Sequence, residues 1–274
     1  MHYTTSGTNA VPSTAYVTQY ANDFEAAWSH ETGELGFYTP PSDGYAGGDS
    51  RYDVYIMNLG SGIYGYTQPE APGPASWNDA TSFIAVRNNY AGFLTPQNEC
   101  MQVTSAHEFC HSCQFAYDYG ESNWWMEITA VWMETEMYPS SDDYMLYLPT
   151  FFNDPSVSIT LFNGEHEYSS CIWGIYLAQR FGRDIMRVIW DNCRYSTALS
   201  AFQNVLSQPA YSSSRDAAFS EFVIWNYFTN SRATGSTYPR ASEFPLVHIE
   251  RSYSSYPLAG GGTTHPPDHL AANY

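Results

Sequence analysis

Two stretches of helical patterning, residues 104–117 and 124–137, stand six residues apart, and this spacing constrains the fold more than any other feature of the chain. So short a connection admits only an antiparallel helical hairpin. Val103, Ala106, Cys110, Cys113 and Phe115 give the first helix its apolar positions, and Gly120 marks its end. That helix carries His107-Glu108-Phe109-Cys110-His111, a match to H-E-x-x-H. Residues four apart on a helix differ by about 40° and one turn of rise, so both imidazoles leave the same face and can share one zinc ion. Glu108 sits beside that face, where it can act as general base for a water that the metal activates.

A catalytic zinc needs a third protein ligand and an open position. A metzincin continuation would require Gly at 114 and His at 117, but the chain has Gln114 and Tyr117. The remaining solution is a glutamate on the following helix, with Glu121, Glu127, Glu134 and Glu136 as candidates. From His111 the first helix descends about 9 Å to Tyr117, and the second climbs back about 6 Å by residue 127. Glu127 therefore returns to the level of His111, whereas Glu121 falls in the turn. Glu134 rises two turns further on nearly the same face, where it can accept a hydrogen bond from a histidine N–H.

Before the hairpin the pattern is mixed. Tyr16, Tyr20, Phe24 and Trp28 recur at four-residue steps and predict a helix over 13–30. Strands are expected at 52–59 and 82–88, separated by a loop that contains Pro69, Pro72 and Pro74. Further helices are expected at 168–181, 183–190, 197–206 and 216–228. The predicted class is α+β: an N-terminal α+β part over 1–103, the active-site helix and a helical part over 104–235, and a segment 236–274 read as a packed tail or the start of a further domain.

Charge narrows the partners. The chain has no lysine, ten arginines and 28 acidic residues, for a formal charge of −18. Nucleic acid and anionic membrane surfaces are excluded as expected partners, because both demand a basic face. No run approaches the roughly 18–20 apolar residues of a membrane span, and the opening residues lack a signal-peptide layout. A secreted or extracellular protein whose leader is absent from this chain is the expectation. The five cysteines, Cys100, Cys110, Cys113, Cys171 and Cys193, are an odd number, and Cys110-x-x-Cys113 has no second C-x-x-C to complete a zinc knuckle, so both are read as packing residues. Asp43, Asp49, Asp53 and Asp79 lie in turn-rich sequence where calcium is conceivable, but no calcium loop is present and a solvated acidic surface is expected.

HEFCHSCQ followed by WWMEITAVWME resembles the gluzincins, the thermolysin-like zinc peptidases whose third ligand is a helix-borne glutamate. The likeness is greatest to secreted bacterial metallopeptidases reading HEFFHAIQ and WWMEATAVWME. It extends through PPSDGYAGGDSRYDVYIMNLG and YGYTQPE upstream and IWGIYLAQRFG downstream, covering most of residues 1–200. The resemblance implies a zincin-like fold with the H-E-x-x-H helix at the floor of a cleft, His107, His111 and Glu127 as ligands of one Zn2+, and Glu108 as base. It also implies an oxyanion donor from the helical part, for which Tyr168 and His166 are the candidates. By the same analogy the strand at 82–87 would be the sheet edge that receives substrate, unless it is a core strand. One departure stands out: thermolysin orients a histidine with an aspartate four residues after its ligand glutamate, and Val131 occupies that position here. The expected activity is that of a zinc endopeptidase acting on a protein or peptide substrate. The alternatives are a zinc hydrolase of a non-protein amide and a binding module without catalysis.

Overall fold

Ser13 caps the first helix, α1 (Thr14–Trp28), its hydroxyl accepting the N–H of Tyr16, and Tyr16, Tyr20 and Phe24 turn one buried face inward. The helix runs on into a π-helical turn, Ser29–Glu34, which carries the Glu31 side chain fully inside the protein. The structure is a computed structural model that describes residues 1–255 and 265–274. Residues 256–264, within the expected closing segment, lie outside the described residues.

Three strands follow: β1 (Val54–Met57), β2 (Gly65–Pro72) and β3 (Ala80–Arg87), in the order β1-β3-β2. β3 lies in the middle, parallel to β1 and antiparallel to β2, and it is buried along nearly its whole length. The strand expected to receive substrate is therefore the core strand. The open edge belongs to β2, in the stretch that sequence patterning assigns to a loop. Pro69 and Pro72 cause that misreading: a proline removes a ladder donor and argues against a central strand, but an edge strand tolerates it. The register shifts between the two prolines. The outer edge of β1 is covered by the N-terminus, where His2 donates to Val54 and accepts from Ile56.

The rest is helical, so the chain is α+β. Helix α2 (Gln97–Asp118) begins seven residues before the patterned stretch, directly after Pro96, and buries Cys100 and Met101 in its added turns. Helix α3 (Asn123–Met137) returns antiparallel to it. A short α4 (Leu148–Asn153) seats Phe151 and Phe152, and α5 (His166–Ser169) is separated by Ser170 from α6 (Cys171–Phe181), where one continuous helix was expected. Helices α7 (Asp184–Cys193), α8 (Ala198–Leu206) and α9 (Arg215–Tyr227) complete the order, each within a few residues of its expected span.

Helix α2 is the centre of the molecule, packed by the sheet, α1, α3 and α7. It is buried on almost all sides, which explains why its apolar pattern is broader than one stripe. Trp125, Trp132, Trp173 and Trp190 fill the space behind α3, each less than 2 % exposed. At 150–250 Å² of burial, each contributes roughly 4–6 kcal/mol as an upper bound. Gly174 lets α6 approach α3, because a Cβ there would meet Ile128 Cγ2 and Trp132 Cβ at 3.2 Å. The chain's last residues pack on the helical part, with Ala272 N–H donating to Pro155 and the Tyr274 hydroxyl donating to Val223. All five cysteines are buried thiols. Among the described residues no helix is long and apolar enough to cross a membrane.

Candidate metal centre

Helix α2 presents His107 and His111 from one face, and α3 brings Glu127 against them. His107 Nε2 lies 3.1 Å from both His111 Nε2 and Glu127 Oε2, and His111 Nε2 lies 3.6 Å from the same oxygen. Among the described residues this is the one group of three or more histidine, cysteine or carboxylate side chains whose donor atoms converge closely enough for a metal. The acidic residues weighed for calcium are not brought together in this way. Asp49 pairs with Arg51, Asp53 with His2, and Asp79 accepts the N–H of Ala75.

The ring tautomers are fixed from behind. His107 Nδ1 lies 2.7 Å from Glu134 Oε1, and a carboxylate there requires an N–H. His111 Nδ1 lies 2.8 Å from Gln114 Oε1, and the Gln114 amide is oriented by its own NH2 group, which donates to Met126 O at 2.9 Å. With both Nδ1 atoms acting as donors, each neutral ring turns an Nε2 lone pair toward Glu127. Three lone-pair donors facing one another at 3.1–3.6 Å repel unless positive charge sits among them. The triangle also suits zinc, since bonds of about 2.0–2.1 Å in tetrahedral geometry set ligand atoms about 3.3 Å apart.

Electrostatics make the same demand. Burial disfavours a charged His107, yet Glu127 and Glu134 outweigh it and hold the ring pKa well above its ordinary value. Burial likewise opposes charge on His111, and Glu127 overcomes it. Glu127 is desolvated, but His111 and His107 keep its carboxyl well below the usual range. Glu134, buried deeper, is pushed up to about 7 by desolvation against the pull of His107.

Glu108 is 5 % exposed and lies beside the triad, and desolvation raises its pKa despite the two histidines. A raised carboxyl pKa is what a proton shuttle near neutrality needs. Its position is set by β2: the Thr67 hydroxyl lies 2.8 Å from both Glu108 Oε2 and Glu108 O. Gly65 passes so close that a Cβ would meet Glu108 Cγ at 2.9 Å and Thr104 Cγ2 at 3.0 Å.

His107, Glu108 and Glu134 line a cavity of about 520 Å³ that runs from β2 toward Tyr147 and Tyr168. The Tyr168 ring stacks 6.2 Å from that of His107, and burial and the neighbouring carboxylates raise its pKa far above the ordinary value, so the hydroxyl keeps its proton. His166 is not brought to the site. It is 3 % exposed and packs 6.3 Å from Phe151, away from the cavity wall, because the first turn of α5 points it into the core.

Several contributors escape a reading of the sequence. Gln114 figures there only as a departure from the metzincin pattern, although a side chain three residues after His111 on a helix lies next to its ring. Thr67 carries no signal, since its strand reads as loop. Asp143 and Tyr147, both in the cavity wall, belong to a stretch without clear periodicity.

The sequence profile of a family described as a family of unknown function, DUF6055, matches residues 4–243. No curated protein and no solved structure matches the chain.

Proposed function

Because the chain belongs to the DUF6055 family, whose function is unknown, its activity must be read from its own side chains, and we propose that it is a zinc-dependent peptidase of the gluzincin type with a zincin-like fold. The observation that carries this reading is the convergence of His107 Nε2, His111 Nε2 and Glu127 Oε2, with the buried carboxyl of Glu108 alongside and a cavity in front. Zinc held by these three residues would supply a Lewis acid for a carbonyl and lower the pKa of water.

Glu108 takes the proton of the attacking water and passes it to the departing amine. Thr67 keeps one carboxylate oxygen in place for both transfers. Glu134 and Gln114 hold the two imidazoles in the tautomer that leaves Nε2 free. Tyr168 offers its hydroxyl proton to the oxyanion. The open edge of β2 beside the cavity favours an extended peptide over a compact amide, because main-chain groups of the strand can pair with main-chain groups of a substrate.

Metal analysis of the purified protein, combined with digestion of a broad peptide library with and without chelator, tests the assignment. One zinc per chain and chelator-sensitive cleavage are expected. Glu108→Gln should keep the zinc and lower kcat by about 10³-fold. Cleavage that survives complete removal of metal, or a zinc-loaded protein that cleaves no peptide, would overturn it.

A further inference from the structure

The far end of the cavity has a charge that nothing in the mechanism uses. Asp143 is 2 % exposed and lines it. Its carboxylate accepts the hydroxyls of Tyr64, at 3.0 Å, and Thr95, with the Tyr147 hydroxyl at 3.5 Å. These are neutral donors: among the described residues no arginine or histidine pairs with Asp143. Arg240, which donates to the Ser141 carbonyl, is occupied by Asp142 and Glu243, and Arg87, beside Tyr64, spends its guanidinium on the carbonyls of Gly60, Ile63 and Asn89.

A second, independent observation lies on the same wall. Glu134 uses Oε1 for His107, but its Oε2 is buried without any hydrogen-bond partner, and the whole residue is only 5 % exposed. An unpartnered oxygen in the wall leaves the cavity with negative potential that no neighbouring donor offsets. Among the described residues no lysine or arginine lines the cavity, and Glu165 in its wall adds further negative charge. Ile63 and Leu146, both half exposed, provide an apolar collar suited to a methylene stem. The volume of about 520 Å³ accommodates a long side chain.

We propose that this cavity is a specificity pocket for a basic side chain, arginine or lysine, next to the scissile bond of a peptide substrate, with Asp143 as its acceptor and the buried carboxyl of Glu134 adding negative potential from the same wall. The inference rests on the peptidase reading for its substrate class, but the pocket's preference for a cation can be measured without turnover.

The zinc-loaded Glu108→Gln protein is titrated calorimetrically with acetyl-Ala-Ala-Arg-Ala-Ala-amide and with the same peptide carrying citrulline, which keeps the shape of arginine and removes its charge. The arginine peptide should bind at least about tenfold more tightly. Adding Asp143→Asn should bring the ratio close to one. Leu146→Lys, a surface change that places a resident cation at the mouth, should reduce the preference without touching the buried network. Equal affinities, tighter binding of citrulline, no binding of either peptide, or a preference indifferent to both variants would overturn the pocket. Hydrolysis of the two peptides by the unsubstituted protein separates the two readings. If both are cleaved with equal kcat/KM, the pocket fails and the peptidase stands. If neither is cleaved while the arginine preference in binding persists, the peptidase fails and the pocket stands.

Discussion

Gln114 shows how much of the proposed metal centre depends on a residue outside its three ligands. Its amide joins His111 Nδ1 to the backbone of α3 through Met126 O, so it fixes a tautomer and ties the two ligand-bearing helices together. Gln114→Met keeps the length of the side chain and loses both bonds. Zinc affinity, measured by chelator competition, should fall by about 10- to 100-fold. Glu31 permits a test of a different kind. Its carboxyl oxygens meet no nitrogen or oxygen donor among the described residues, only the thiol of Cys113 lies beside them, and complete burial raises its pKa well above the ordinary value. The folded protein thus retains a proton that the unfolded chain releases once pH exceeds the ordinary glutamate range. Stability is present below that range and declines as pH rises toward the folded pKa, by on the order of 1.4 kcal/mol per pH unit. Glu31→Gln, which stays neutral in both states, should melt at a higher temperature than the unsubstituted protein. The gap should widen between pH 5 and pH 8, and a gap that narrows over this range would contradict the assignment. At this scale the sequence was informative wherever helical spacing governs: His107, His111 and Glu127 could be placed from rise per residue alone. Contacts between elements, such as Thr67 with Glu108 or Asp143 with Tyr64, leave no periodic trace.

Strand β2 governs the site as an element. It supplies the Thr67 hydroxyl to Glu108 and lays Gly65 against the Glu108 side chain, so the proposed base and the strand are built as one unit. Gly65→Ala should displace the Glu108 carboxyl and lower kcat by about 10²-fold while zinc content stays at its original level. Loss of zinc in that variant would instead place the disturbance at the ligands. The strand is also the element that sequence patterning misses. Its exposure alternates along Gly65–Pro69 as a half-buried strand should, but the side chains that alternate are small or polar, and two prolines break the expected apolar rhythm. β3 was legible because its run of buried, largely apolar residues is continuous, yet the same burial places it in the middle of the sheet and not at its edge. The hairpin of α2 and α3 was legible for the opposite reason: the patterns stand six residues apart and the turn itself has four, which leaves little choice of topology.

For the molecule as a whole, the proposed metal would bridge two helices that also organise the core, with α2 packed by the sheet, α1, α3 and α7. Metal loading should therefore act on global stability. At a free zinc concentration a thousandfold above Kd the gain is about 4 kcal/mol, on the order of 10 °C in Tm for a chain of this size. Calorimetry before and after chelation measures it, and an unchanged Tm would exclude a structural coupling between the centre and the fold. The α+β class could be read from the order of patterns, whereas the way the final residues fold back onto α9 and the segment after α4 could not, because they are held by isolated hydrogen bonds rather than by a repeating face. The tail end of β2 has its own consequence for how copies of this protein coexist. An unpaired strand margin invites a second molecule to zip onto it and begin a fibre. Pro69 and Pro72 have no N–H to offer such a visitor, and Glu70 between them repels a neighbour that carries the same excess of negative charge, so the margin is left hospitable only over the few residues nearest the cleft.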